Sequence, residues 1–95
     1  MNTQEAKQYM EKNPGYVLLD VRTPEEVSEG KIQDALHINF YDEDFRSQLE
    51  KLDKDKTYIV YCRSGNRSGQ AAEIMNEMKF KEVINLDGGI EEWEK

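Results

Sequence analysis

A chain of 95 residues carrying 13 Lys and Arg against 20 Asp and Glu has a net charge of −7, which argues against nucleic acid and anionic membranes as partners. Its length suits one domain spanning residues 1–95, closed around a single core. One cysteine cannot form an internal disulfide, the N-terminus has no apolar signal-like core, and no segment nears the ~18 apolar residues of a membrane span, so a cytoplasmic protein is the expectation.

The apolar periodicity switches repeatedly between helix and strand. Residues 3–12 place Ala6, Tyr9 and Met10 on one helical face, and Asn13-Pro14-Gly15 stops that helix. Residues 16–19 form a short continuous apolar strand. Thr23-Pro24-Glu25-Glu26 then reads as a capping box with proline at the first helical position, and Gly30 is the stop. Residues 35–39 read as a strand, and Phe45, Leu49 and Leu52 give a helical stripe within 42–52. A strand over 57–61 runs into Cys62. Ala71, Met75 and Met78 line a helix over 68–79, with Ser68 as its expected N-cap. A strand over 83–86 and a small terminal helix holding Ile90 and Trp93 as packing residues complete the chain.

Strands alternating with helices over this length predict an α/β fold: a small open parallel sheet of four to five strands with helices on both faces. In such sheets the functional crevice lies beyond the carboxyl ends of the strands. Asp20-Val21-Arg22, Cys62 and Asp87-Gly88-Gly89 all fall at that edge.

Cys62 is the most informative residue. A single cysteine is more often a small buried hydrophobe than a reagent. The segment that follows, Arg63, Ser64, Gly65, Asn66 and Arg67, is a poor neighbour for an inert thiol. It is good material for a loop whose backbone N–H groups bind an anion, with Gly65 easing a tight curl. The following helix N-terminus and the two arginines favour a thiolate, the reactive form of cysteine, so the loop points to covalent sulfur or phosphorus chemistry. No metal-ligand cluster, Walker-type phosphate loop or dinucleotide fingerprint is present.

Three segments together resemble the rhodanese family of sulfurtransferases, in its short single-domain bacterial form. They are Leu18-Leu19-Asp20-Val21-Arg22-Thr23-Pro24-Glu25-Glu26, Tyr61-Cys62-Arg63-Ser64-Gly65-Asn66-Arg67-Ser68, and Asn85-Leu86-Asp87-Gly88-Gly89-Ile90-Glu91-Glu92-Trp93. The resemblance implies a two-step transfer. The Cys62 thiolate takes the outer sulfur of a small anionic donor such as thiosulfate, releasing sulfite, and the resulting persulfide passes that sulfur to cyanide, a thiol or a partner sulfur-relay protein. It implies no cofactor and no metal beyond the covalent persulfide.

Supporting roles are expected for Asp20 and Arg22 as a structural pair bracing the loop. Ser68 is a cap or loop contact, and Gly88 and Gly89 allow a tight turn, with donation to substrate as the other reading for the glycines. His37, the only histidine, reads as structural rather than as a general base. The chain departs from the family pattern over Lys31–Asn39, where a histidine, a glycine and a proline are missing. It departs again at Lys79, which stands where a glycine is common, and in a truncated N-terminal strand.

Two other functions fit the residues. One is a phosphatase or arsenate reductase on the same fold, which would use a Cys-x5-Arg loop. Here Cys62 and Arg67 are spaced Cys-x4-Arg, a ring of amides that fits sulfur better than a tetrahedral phosphate. The other is a non-catalytic sulfur-carrier or binding module.

Overall fold

The apolar run Thr57–Tyr61 forms a strand, β3, whose side chains alternate between two separate cores. Tyr58 and Val60 join one apolar cluster and Ile59 and Tyr61 the other, so the strand is covered on both faces, as expected for the middle of a parallel sheet. The computed structural model describes residues 1–95. Its other strands are β1 (Val17–Asp20), β2 (Leu36–His37) and β4 (Glu82–Asn85), all parallel, in the order β2-β1-β3-β4. The sheet therefore has four strands.

Five helices complete the fold: α1 (Thr3–Lys12), α2 (Pro24–Ser28), α3 (Phe45–Glu50), α4 (Asn66–Glu77) and α5 (Gly89–Trp93). Phe45, Leu49, Ala71 and Met75 bring α3 and α4 onto one face of the sheet with Leu19, Val60 and Cys62. Ala6, Met10 and Ile90 bring α1 and α5 onto the other with Leu18, Tyr61 and Leu86. Fully burying side chains of this size contributes about 1.5–3 kcal/mol each, so the two cores are the main source of stability.

Local signals act as the sequence suggests in most places. Thr23 caps α2 in a reciprocal box with Glu26, and Pro24 opens the helix. α1 has a box of its own, Asn2 with Glu5, which the sequence reading did not single out. Lys79 takes a left-handed backbone, φ 72°, just beyond α4, where a glycine would be unstrained.

Several boundaries differ from expectation, three of them by enough to matter. The strand expected over 35–39 shrinks to Leu36–His37, because only Leu19 and Asp20 of β1 are opposite it. α3 is shorter than 42–52. α4 starts at Asn66 rather than at Ser68, a shift that matters for the site.

The chain runs from β1 outward to β2, then returns across β1 to β3 and on to β4. The direction of winding thus reverses between β1 and β3, and this switch point is where an open parallel sheet leaves a crevice. β1 ends at Asp20 and β3 ends one residue before Cys62, side by side, since Asp20 is the register partner of Tyr61.

Candidate active site

Cys62 continues the alternation of β3 and is 1% exposed, with its side chain on the α4 face of the sheet. The chain then curls through Arg63 and Ser64 to Gly65, whose φ of 100° only glycine adopts without strain. That left-handed residue turns the backbone directly into α4. The Gly65 amide donates to Cys62 Sγ at 3.1 Å, and the buried Ser68 hydroxyl lies 3.4 Å from the same sulfur.

Ser68 is therefore not the N-cap. α4 has no side-chain cap at all, and Gly65 occupies the capping position. The physical reason is that the first amides of a helix need acceptors, and here the sulfur supplies one. The same geometry sets the thiol's acidity. Burial pushes the Cys62 thiol up, but hydrogen bonds from the Ser68 hydroxyl and from the amides of Ser68, Ser64 and Gly65 outweigh it and hold the group below its ordinary value.

The two arginines are placed differently from the sequence-based expectation that both attend an anion in the loop. Arg67 forms a bidentate pair with Glu26 of α2, at 2.7 and 2.9 Å, and the pair is largely shielded from water. Arg63 is exposed and pairs with Glu91 of α5 at 3.0 Å. Neither side chain hydrogen-bonds the sulfur; the donors are the loop amides and Ser68.

The Arg67 pair has a measurable signature. The hydrogen bonds from Arg67, with help from the Thr23 amide and hydroxyl, hold the Glu26 carboxyl down at about 2 against an ordinary 4.5. A carboxylate with a depressed folded value stabilises the fold above its unfolded value and loses that contribution as pH falls through the folded one. The melting temperature of the native chain should therefore fall between about pH 4.5 and about pH 2 more steeply than that of Glu26→Gln, followed by circular dichroism. Parallel curves for the two proteins would show that the pair contributes nothing.

Asp20 and Arg22 form a buried ion pair at the end of β1. Both are buried, and the Asp20 carboxylate accepts the Arg22 backbone amide at 2.9 Å and its guanidinium at 2.8–3.0 Å. Arg22 also donates to the carbonyls of Glu26 and Gly30, which ties the end of β1 to α2 and hence to the Arg67 partner. His37 Nε2 sits 2.7 Å from the Arg22 carbonyl.

Gly88 and Gly89 close the loop from the other side. Gly89 has φ 61°, and a Cβ there would overlap the carbonyl oxygens of Arg63 and Cys62. That close approach lets Ile90 and Glu91 donate their amides to the Cys62 and Arg63 carbonyls at 3.0 and 3.2 Å. The Gly89 amide itself goes to Leu86, so its contribution is room for α5 rather than donation into the site. Ser64 contributes through its amide, while Asn66 begins α4 and accepts from Gln70 along the helix surface.

Two residues of the site were not singled out from sequence. In the sequence Glu26 shows only as half of a capping box. Asn85, at the end of β4, accepts from Ser68 at 2.6 Å and donates to the Gly65 carbonyl at 3.3 Å. The signal for Asn85 was an amide interrupting an otherwise apolar strand, Val83-Ile84-Asn85-Leu86, at the sheet edge that carries Cys62.

Comparison with known proteins agrees with this architecture. Residues 2–95 match the Rhodanese-like domain family. YtwF of Bacillus subtilis is 42% identical over 94 residues, covering 99% of this chain and 88% of that protein. The thiosulfate sulfurtransferase GlpE of Coxiella burnetii is 38% identical over 82 residues, 86% of this chain and 75% of that one. Among solved structures, a rhodanese-related protein from Thermoplasma volcanium superposes with a TM-score of 0.84 at 30% identity, covering 98% of this chain and 87% of that one. A rhodanese-like domain protein from Staphylococcus aureus gives 0.85 at 27% identity, covering 98% and 88%. A parallel sheet with a cysteine loop at its switch point, matched along almost its full length, makes this chain a member of the rhodanese-like domain family.

Proposed function

We propose that this protein is a sulfurtransferase that works through a persulfide on Cys62. The observation that carries the reading is the convergence of the Gly65 amide and the Ser68 hydroxyl on one buried, acidified sulfur. Relatives named as sulfurtransferases support it. In the first step the Cys62 thiolate attacks the outer sulfur of a donor such as thiosulfate. The new S–S bond forms as the old one breaks, and the electron pair leaves with sulfite. In the second step a thiophilic acceptor, cyanide in an assay or a thiol or partner protein in the cell, attacks the terminal sulfur and returns Cys62 as a thiolate. Once the thiol is ionised no general base is needed, consistent with His37 contacting the Arg22 carbonyl.

The phosphatase or arsenate reductase reading is weakened by Arg67, whose fork is taken up by Glu26 instead of being free to bind an oxyanion. Intact mass after incubation with thiosulfate is the test. A gain of one sulfur atom on Cys62, lost on adding cyanide or a thiol, is the expected result. An unchanged mass together with hydrolysis of aryl phosphates would overturn the proposal.

A further inference from the structure

The Ser68 hydroxyl has one hydrogen and two acceptors within reach. Its Oγ is 2.6 Å from Asn85 Oδ1 and 3.4 Å from Cys62 Sγ, in a position fully closed to water. It can donate to only one of them at a time. While Cys62 is a thiol, the short contact takes the hydrogen to Asn85, and the serine oxygen is left to accept from S–H. Once the thiol proton has gone to solvent, the sulfur is acceptor only and competes with Asn85 for the hydroxyl's single hydrogen. The amide cannot rotate to follow, because its Nδ2 donates to the Gly65 carbonyl, the residue whose own amide holds the sulfur.

We propose that Ser68 is a catalytic residue whose hydroxyl switches its donation between Asn85 and Cys62 with the charge on the sulfur, and that Asn85 is the positioning residue that competes for the hydrogen. The inference rests on the reading of Cys62 as a sulfur-transferring nucleophile. It gives each step a distinct hydroxyl orientation. In the free thiolate the hydroxyl points at Sγ. In the persulfide the inner sulfur is bonded to sulfur and no longer bears the charge, so the hydroxyl returns to Asn85. When the acceptor breaks the S–S bond, the electron pair comes back to Sγ and the hydroxyl turns to receive it.

The charged side chains nearest the loop are held in pairs that this motion does not disturb. They are Arg67 with Glu26, Arg63 with Glu91, and Asp20 with Arg22, while Asp87 lies largely in solvent.

The test is an ultraviolet thiolate titration of Cys62 in a double-mutant cycle. Ser68→Ala should raise the midpoint by about one pH unit, the equivalent of one hydrogen bond to an anion, and Ser68→Thr, which keeps the hydroxyl, should restore most of it. Asn85→Ala removes both the competitor and the brace on Gly65, and the cycle separates the two effects, because the brace is lost equally with or without the serine. The change caused by Asn85→Ala should lie lower in the Ser68 protein than in the Ser68→Ala protein by about half a pH unit or more.

Asn85→Asp, closest to the native shape, should raise the midpoint further in the Ser68 protein than in Ser68→Ala, and it carries the test if the alanine variant does not fold. Equal changes in both backgrounds would overturn the switch. Persulfide formation by intact mass on the wild-type chain is read separately. Sulfur gain without coupling rejects only the switch, and coupling without sulfur gain rejects only the transfer reading.

Discussion

Replacing Cys62 with serine should reduce thiosulfate:cyanide sulfur transfer by at least about 1,000-fold, to the level of the uncatalysed reaction. The loop donors favour an anion, and a serine hydroxyl in the same place neither ionises at neutral pH nor forms a stable bond to a sulfane sulfur. The fold should survive, because the substitution is conservative in shape and the loop is also held by Gly89 and α5, which do not use the sulfur. Circular dichroism and thermal melting of the variant check this beside the assay. On the proposed mechanism the native protein should show ping-pong kinetics, since sulfite leaves before the acceptor reacts. Turnover persisting in the serine variant, or sequential kinetics in the native one, would contradict the covalent mechanism.

The second large effect is expected at Gly65. Its φ of 100° disfavours any side chain, and a Cβ would run into the Asp87 carbonyl oxygen. That obstacle is backbone, so it cannot swing aside. Gly65→Ala must either push the 87–89 turn away or flatten the curl that aims the Gly65 amide at the sulfur. A displacement of ~1 Å suffices for a fall of about 100-fold in kcat/KM, and the strained backbone should cost on the order of 1–3 kcal/mol of stability. Gly15→Ala, where nothing lies near the added carbon, is the control and should keep full activity. Steady-state kinetics and melting curves on both variants decide it. A Gly65→Ala protein with native kcat/KM would mean that the loop shape is not what activates Cys62.

Much of this arrangement was legible in the residues because local and global signals agree. The capping box at Thr23, the apolar strands and the three segments that carry the family resemblance sit where the sheet topology needs them. Where expectation and structure part, contacts that spacing does not show are the reason. Serine is a favoured N-cap, so local propensity placed the start of α4 at Ser68; the helix starts earlier because a left-handed glycine and a sulfur acceptor replace the cap. Arg67 and Glu26 are far apart in sequence and joined only by the fold, so spacing alone does not show their ion pair. Asn85 escaped notice for the same reason: its partners, Ser68 and Gly65, belong to a different part of the chain.

The contact between α5 and the loop has a consequence for when the thiol becomes reactive. The carbonyls of Cys62 and Arg63 have their amide partners in Ile90 and Glu91, and those partners reach them only because Gly89 lets the backbones touch. A chain in which β1, β3 and α4 have assembled but α5 has not docked lacks the contacts that hold the Cys62 and Arg63 carbonyls and steady the curl of the loop. Its sulfur should then lose part of the acidity that the loop amides and Ser68 confer. On the proposed reading, the acidity of Cys62 is completed only when the last helix docks. A rate of alkylation at Cys62 would report docking of the last helix, and nascent or partly unfolded copies would be spared the side reactions that an exposed thiolate invites.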